Sequence, residues 1–201
     1  MNELVVLQAA RLKGRLTAEM AAASCAVGDA AAAATIGQLR DQGFLKGETS
    51  VRLTPEGRAR LAELVAEERG TIDTDALSEL YHEFDEHNST LKSIVSDWQM
   101  RDGQPNDHGD PTYDQSVLDR LYRLDAGFQP LLARIVEKAE RLAPYPGRFA
   151  NAIARLREGD TTYVARPITD SYHTVWFEFH EELIGLLGLS REEEAAAGRA
   201  V

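Results

Sequence analysis

A polar loop near the middle of the chain carries the first side chains that could bind a ligand or an ion. It runs from Trp98 to Asp114, and its possible cation ligands are Asp107, His108, Asp110 and Asp114. Their spacing lacks the central glycine and terminal glutamate of a calcium-binding loop, so we predict no metal site. Ordered loops of this length often bind small molecules, although Asn and Asp also suit a purely structural role in turns. The ligand-binding candidates in this loop are Trp98, Arg101, Asn106 and His108.

A second group of polar side chains lies on an apolar segment near the end of the chain, over residues 170–184. Helical spacing places Tyr172 and Trp176 on one stripe, and His173 and His180 on the adjacent stripe. The two histidines are seven residues apart, or about 10.5 Å along a helix axis, which is too far for one metal ion. Each histidine alone is compatible with a hydrogen-bonded core position. Together with the loop, Tyr172, His173, Trp176 and His180 predict an aromatic cavity that binds a small-molecule effector.

Familiar catalytic motifs are missing from the sequence. It contains no Walker loop, no Gly-x-Gly-x-x-Gly, no Gly-x-Ser-x-Gly and no His-Glu-x-x-His. The single cysteine, Cys25, lies among apolar residues and is predicted to be a core residue and not a redox sensor. We therefore predict no catalytic residue, and the sequence identifies no cofactor. An enzyme centred on the loop and the two histidines is kept as a third hypothesis.

The first 70 residues contain the signals of four helices and a hairpin. The predicted elements are a helix over 3–13, a second helix capped by Thr17, a third capped by Asp29 that runs to Gln42, a hairpin over 44–53 and a fourth helix that begins at Thr54 and Pro55. Gly43 is predicted to end the third helix in the left-handed conformation.

These elements resemble the winged-helix core of bacterial transcriptional regulators of the MarR type. The matching residues are Ile36, Leu39, Gly43, Phe44, Leu45 and the run Leu53-Thr54-Pro55-Glu56-Gly57-Arg58. The resemblance covers about the first third of the chain. It implies a winged helix-turn-helix that binds DNA, with the hairpin as its wing, in a homodimer that spans half-sites about one helical turn apart.

The predicted recognition helix is poor in side chains that read DNA. Residues 30–34 are all alanine, and alanine can contact only a thymine methyl group. Asp29 would face phosphate unfavourably. The DNA-binding candidates are Thr35, Gln38 and Arg40 on this helix and Lys46 and Arg52 in the wing, with Arg11, Lys13 and Arg15 as further basic residues near the first helix. The same pattern favours a second hypothesis, an adaptor that binds no DNA and docks on a partner protein or enzyme.

The rest of the chain is predicted to be all-helical, so the fold class is mainly α. Apolar spacing predicts helices over about 76–86, 89–98, 113–143 and 147–157. Asn88 or Ser89 is predicted to cap the second of these, and Asp170 or Ser171 to cap a last helix. Two segments resemble a helical region of actinobacterial proteins that accompanies domains like phosphoenolpyruvate-utilising enzymes. They are Trp98…Arg101-Asp102-Gly103…Asn106-Asp107-His108…Asp110…Tyr113-Asp114 and Asp170-Ser171-Tyr172-His173-Thr174-Val175-Trp176-Phe177. This resemblance implies no particular activity.

Charge is distributed unevenly along the 201 residues. Residues 1–70 carry nine Lys/Arg and nine Asp/Glu, whereas residues 71–201 carry 13 and 24, which accounts for the net charge of −11. The change predicts a winged-helix domain over 1–70, a helical ligand-sensing and dimerisation domain over 71–190, and a flexible tail over 191–201. The acidic surplus argues against nucleic-acid contacts over the whole chain. No signal peptide and no apolar run of about 18 residues is recognisable, so we expect a soluble, cytoplasmic protein with no membrane partner.

Overall fold

Two compact units, Met1–Ile72 and Asp73–Val201, divide the chain. The computed structural model describes residues 2–25 and 27–190, so the tail predicted over 191–201 lies outside the described residues. The described part is mainly helical with two small antiparallel hairpins, which confirms the prediction of a mainly α protein.

The first unit contains four helices and one hairpin. Its elements are α1 (Glu3–Lys13), α2 (Ala18–Cys25), α3 (Asp29–Asp41), β1 (Leu45–Lys46), β2 (Arg52–Leu53) and α4 (Pro55–Arg69). β1 and β2 pair antiparallel, with Leu45 opposite Leu53. Between α1 and α2, Leu16 adds a third extended segment, because it exchanges two backbone hydrogen bonds of 2.9 Å with Val51.

The turn from the hairpin into α4 is held by the Thr54-Pro55-Glu56-Gly57 run. Thr54 caps α4, since its hydroxyl accepts from the Gly57 N–H at 3.0 Å, and it also donates to the Gly43 carbonyl at 2.7 Å. Gly57 is required because a Cβ there would lie 2.0 Å from the carbonyl oxygen of Phe44. The run therefore fastens the end of α3, the hairpin and α4 to one another.

At the start of α3 the structure differs from the sequence prediction. Asp29 is the first helical residue, and the cap is Gly28, which offers no side-chain hydrogen bond. At the other end Gly43 has a φ of +81°, as predicted. The buried residues of the unit pack around α1 and the inner face of α3, and the most deeply buried are Val6, Leu7, Leu16, Ala21 and Ala32.

The second unit contains four helices and a second hairpin. Its elements are α5 (Thr74–Gln99), β3 (Met100–Arg101), β4 (Gln104–Pro105), α6 (Pro111–Lys138), α7 (Tyr145–Arg157) and α8 (Tyr172–Leu187), with single 3₁₀ turns at Glu140–Leu142 and Thr161–Tyr163. The prediction of an all-helical unit is therefore wrong at β3 and β4. Met100 pairs with Pro105 there, inside the polar loop.

Helix α5 is continuous where the sequence predicted a break at Asn88. Asn88 is 1% exposed, and its side-chain oxygen accepts from the Trp176 indole N–H at 3.0 Å. The side chain thus satisfies a buried donor on α8 instead of capping a helix. Nearby, the Tyr81 hydroxyl lies 2.8 Å from His180 Nε2. These two contacts set α8 antiparallel to α5.

An aromatic cluster forms the core of the second unit. Ring centroids lie 4.9 Å apart for Phe84 and Trp176, 4.5 Å for Phe128 and Trp176, and 5.5 Å for Phe128 and Phe149. Phe179 packs edge-on against the same rings. All five side chains are fully buried, so α5, α6, α7 and α8 share one apolar centre.

Among the described residues, no single helix is long and apolar enough to cross a membrane. The pair α2 and α3 would have that length and composition only when counted together, and it is bent by 116° at the break.

Phe84 offers a test of this core. Replacing it with alanine should lower the free energy of unfolding by about 3–5 kcal/mol, because the change removes ring contacts to both α6 and α8 and leaves a cavity. Urea unfolding followed by circular dichroism measures the loss. Glu86→Ala, an exposed position on the same helix, is the control and should change stability by less than about 0.5 kcal/mol. Equal effects of the two changes would contradict the described core.

Candidate functional site

A basic cleft lies at the hairpin of the first unit. It has a volume of about 250 Å³ and is lined by Arg15, Lys46, Gly47, Ser50 and Arg52. Lys46 ends β1 and Arg52 begins β2, so the two stand opposite each other in the ladder. The pairing of Leu16 with Val51 brings Arg15 to the same place. Two of the five predicted DNA-binding residues therefore meet a third cation that lies 31 residues or more away in sequence.

The cations of the basic cleft have no acidic counterpart within the described chain. None of Arg15, Lys46 and Arg52 forms an ion pair with a described residue, and Glu48 in the hairpin turn pairs with none of them. All three side chains are exposed. Unpaired Lys and Arg side chains around a concave surface attract anions, and phosphate groups are the anions that such clusters commonly hold. The basic cleft is thus suited to a phosphate.

The other predicted DNA-binding residues lie on α3. Gln38 and Arg40 are exposed, as are the alanines at 30, 31, 33 and 34. Thr35 is buried, and its hydroxyl donates to the Ala31 carbonyl at 3.0 Å. Its hydroxyl proton is thus used within the helix, and the structure gives no support to Thr35 as a reader of bases.

A polar cleft of about 530 Å³ lies in the second unit. Its lining residues are Trp98, Gln99, His108, Thr161, Thr162, Ala165 and Arg166. Trp98 and His108 were predicted from the sequence as ligand-binding residues. The other five were not. Gln99 follows Trp98 at the end of α5, and residues 161–166 carry no local motif that would connect them with this cleft.

Three side chains of the polar loop hold His108 in place. The Asn106 side-chain amide donates to the Trp98 carbonyl at 3.1 Å and to Asp114 Oδ1 at 3.0 Å. Its oxygen accepts from the His108 N–H at 3.1 Å. Asp114 Oδ2 lies 2.9 Å from His108 Nδ1, and the imidazole centroid lies 4.5 Å from the ring of Trp98. The predicted residue Asn106 therefore supports the cleft without lining it.

The contact with Asp114 determines which nitrogen of the His108 ring carries the hydrogen. Asp114 can only accept when it is ionised, so His108 Nδ1 carries the hydrogen in their contact. The other nitrogen, Nε2, has no partner among the described residues. It accepts a hydrogen bond when the ring is neutral and donates one when the ring is protonated. His108 thus offers the polar cleft a group that can serve either kind of ligand atom.

Arg101 is engaged in holding the loop. Its guanidinium forms an ion pair of 3.1 Å with Asp110 and lies 4.4 Å from the ring centroid of Tyr113. Asp110 also caps α6. The hydrogen bond from the Tyr113 N–H holds the pKa of the Asp110 carboxyl below its usual value, and the contact with Arg101 lowers it further. The predicted role of Arg101 in ligand binding is therefore not favoured, since it does not line the polar cleft.

The aromatic residues predicted on α8 lie in the core. Tyr172, Trp176 and His180 are almost completely buried. His180 bonds to Tyr81, which lies 17 residues before Trp98 on α5, or about 25 Å along the helix axis. The loop and His180 therefore do not form a single site.

His173 lies at the start of α8, where it is partly buried. Its backbone N–H donates to the Val164 carbonyl at 3.1 Å, and burial lowers the pKa of its imidazole. It does not line the polar cleft. Within residues 2–25 and 27–190, no group of three or more His, Cys, Asp or Glu side chains is placed to hold a metal ion.

Comparison of the chain with protein-family models, with curated proteins and with solved structures found no match. The resemblances noted in the sequence therefore stay predictions.

Tyr172 and Asp125 provide a pH-dependent test of the buried contacts. The Tyr172 hydroxyl donates to Asp125 at 3.2 Å, and the Gln129 amide donates to the same oxygen at 2.7 Å. Burial nevertheless raises the pKa of Asp125 above its ordinary value. The folded protein holds this proton more tightly than the unfolded chain, so the protonated carboxyl favours folding at low pH. That contribution is lost as the pH rises from about 4 through the raised pKa.

Asp125→Asn cannot ionise and keeps the oxygen that accepts both hydrogen bonds. Its stability relative to the wild-type protein should therefore increase as the pH is raised from about 4 to about 7. Urea unfolding at both pH values measures this difference. Asp119→Asn, at an exposed position on the same helix, is the control and should show a smaller change. A difference between Asp125→Asn and wild type that stays constant, or falls as the pH rises, would contradict the assignment.

Proposed function

We propose that the protein is a DNA-binding transcriptional regulator whose first unit is a winged helix-turn-helix. The order of its elements supports this: α1, the extended segment at Leu16, α2, α3 and the hairpin follow one another as in that motif. The hairpin is the wing, and α3 is the recognition helix. The fold alone would be a weak argument, because one fold serves many functions.

The basic cleft is the observation that carries the proposal. Arg15, Lys46 and Arg52 place three cations at the hairpin with no acidic partner among the described residues, in a unit whose net charge is zero over residues 1–70. Cations that bind phosphates release the counterions condensed on DNA, and this release supplies much of the binding free energy. Their position on the proposed wing fits contacts to the DNA backbone.

Base recognition is expected to be limited. Of the residues on α3 predicted to contact DNA bases, Gln38 and Arg40 are exposed. The first turns of the helix expose alanine side chains. Arginine and glutamine can each form paired hydrogen bonds with guanine or adenine. Most of the affinity should therefore come from phosphate contacts and should fall steeply with salt.

A specific observation favours the adaptor as a second candidate. The exposed alanines at 30, 31, 33 and 34 give α3 a smooth apolar surface, with Asp29 at its start. Such a surface packs more readily against a protein than against phosphates. An adaptor would bind a protein partner through α3 and would show no dependence on the basic cleft for DNA.

The cleft residues can be tested by the salt dependence of DNA binding. For the full chain, the logarithm of the affinity for a duplex should fall with the logarithm of the salt concentration between about 50 and 200 mM. The double variant K46Q/R52Q should bind more weakly, and its slope should be smaller by about 2, because two phosphate contacts are removed. Fluorescence anisotropy with a labelled duplex measures both quantities.

Arg58→Gln is the matched control, since Arg58 is an exposed cation of the same unit outside the basic cleft. It should leave the slope unchanged. No binding by the wild-type protein at low salt, or an equal slope for K46Q/R52Q, would exclude the proposed role and favour the adaptor. The homodimer expected from the sequence stays a prediction, which light scattering of the free protein can check.

A further inference from the structure

The polar cleft of the second unit has the groups of a binding site but no role in the proposed contact with DNA. We infer that it binds a small organic anion, whose acidic group lies against Arg166 and whose apolar part lies against Trp98 and Ala165. This inference extends the proposed function by giving the helical unit a ligand of defined chemistry. Ligand binding and DNA binding are measured separately, so either can fail without the other.

Arg166 supplies the charge that an anion needs. Its side chain is exposed and forms no ion pair with a described residue. Its backbone is fixed, because its N–H donates to the Thr162 carbonyl and its carbonyl accepts from the Ser171 hydroxyl, both at 3.1 Å. Residues 71–201 carry 11 more acidic than basic side chains, so an anion would be repelled from most of this unit. Arg166 is therefore a local positive charge in a unit whose net charge is negative.

Two further polar groups lie in the cleft with this arginine, an imidazole that donates to an anion when the ring is protonated and a hydroxyl. His108 Nε2 has no described partner, while Asp114 and Trp98 hold the ring from the other side. The Thr161 hydroxyl likewise has no described partner. The neighbouring Thr162 hydroxyl is already committed to Asp160 at 2.5 Å. The polar cleft thus offers one cation, one imidazole nitrogen and one hydroxyl.

Two acidic side chains form hydrogen bonds with residues that line the cleft. Asp114 accepts from Asn106 and His108. Asp160 accepts from both the hydroxyl and the N–H of Thr162. Neither carboxylate lines the cleft, whereas Arg166 does, so the charge on the lining itself favours a negatively charged ligand.

The size and apolar walls define the rest of the ligand. The volume of about 530 Å³ falls within the range of small-molecule sites and exceeds what an inorganic ion needs. Trp98 and Ala165 are the apolar residues of the lining. A compound with one planar apolar part and one acidic group matches both features.

Phenyl phosphate is a probe with both parts, and inorganic phosphate and benzyl alcohol each supply one of them. Isothermal titration calorimetry of the full chain at low salt measures binding of all three. Phenyl phosphate should bind more tightly than either of the other two. Arg166→Gln should weaken its binding about tenfold or more, because a charge-assisted contact is lost. The change should leave the unfolding curve intact, since the side chain has no partner in the fold.

Arg123→Gln removes the same charge from an exposed position on α6 outside the polar cleft, and it should leave binding unchanged. The inference is overturned if phenyl phosphate does not bind at millimolar concentration, or if Arg166→Gln binds it as well as wild type. It is also overturned if both arginine variants weaken binding equally, since that would indicate general charge attraction. Loss of DNA binding in K46Q/R52Q bears on the proposed regulator and not on this site.

Discussion

Helix α8 sets the strongest constraint on the second unit, because none of its 16 residues is exposed. Each polar side chain on such a helix must find a partner inside the protein or lose the hydrogen bonds it made with water. The pairs that satisfy it are Trp176 with Asn88 at 3.0 Å, His180 with Tyr81 at 2.8 Å, Glu178 with Arg148 at 2.6 Å and Glu182 with Arg141 at 2.8 Å. These pairs fix α8 against α5, α7 and the 3₁₀ turn at Glu140–Leu142. They also commit Trp176 and His180 to the core, whereas the polar cleft is lined by other residues of the unit.

Local signals in the sequence predicted the elements whose causes are local. Thr54 caps α4, as its place before Pro55 predicted. The close approach of Gly57 to Phe44 was not predicted, because it depends on how the chain packs. Asn88 was misread as a helix cap, because its side chain serves Trp176, a residue 88 positions away. Arg166 was not predicted at all, since only the packed chain brings it beside Trp98. Pairings between distant residues leave no periodic or motif signal, and this is why the sites were harder to predict than the helices.

The two clefts differ in chemistry in a way that follows the distribution of charge. The first 70 residues are neutral overall, so three unpaired cations around the basic cleft create a local positive surface that can hold phosphates. The remaining residues are strongly acidic, and a single free arginine in the polar cleft gives selectivity for one acidic group in place of broad attraction for a polyanion. This division is consistent with contact to DNA through the first unit and with ligand binding in the second.

Selection of fragmented genomic DNA by the full-length protein tests the central claim most directly. Fragments from the organism that encodes the protein would be captured at about 50 mM and about 200 mM salt and then sequenced. The account predicts that the wild-type protein retains fragments with a shared sequence and that the triple variant R15Q/K46Q/R52Q retains far fewer. No retention by either protein, or equal retention by both, would contradict DNA binding through the basic cleft.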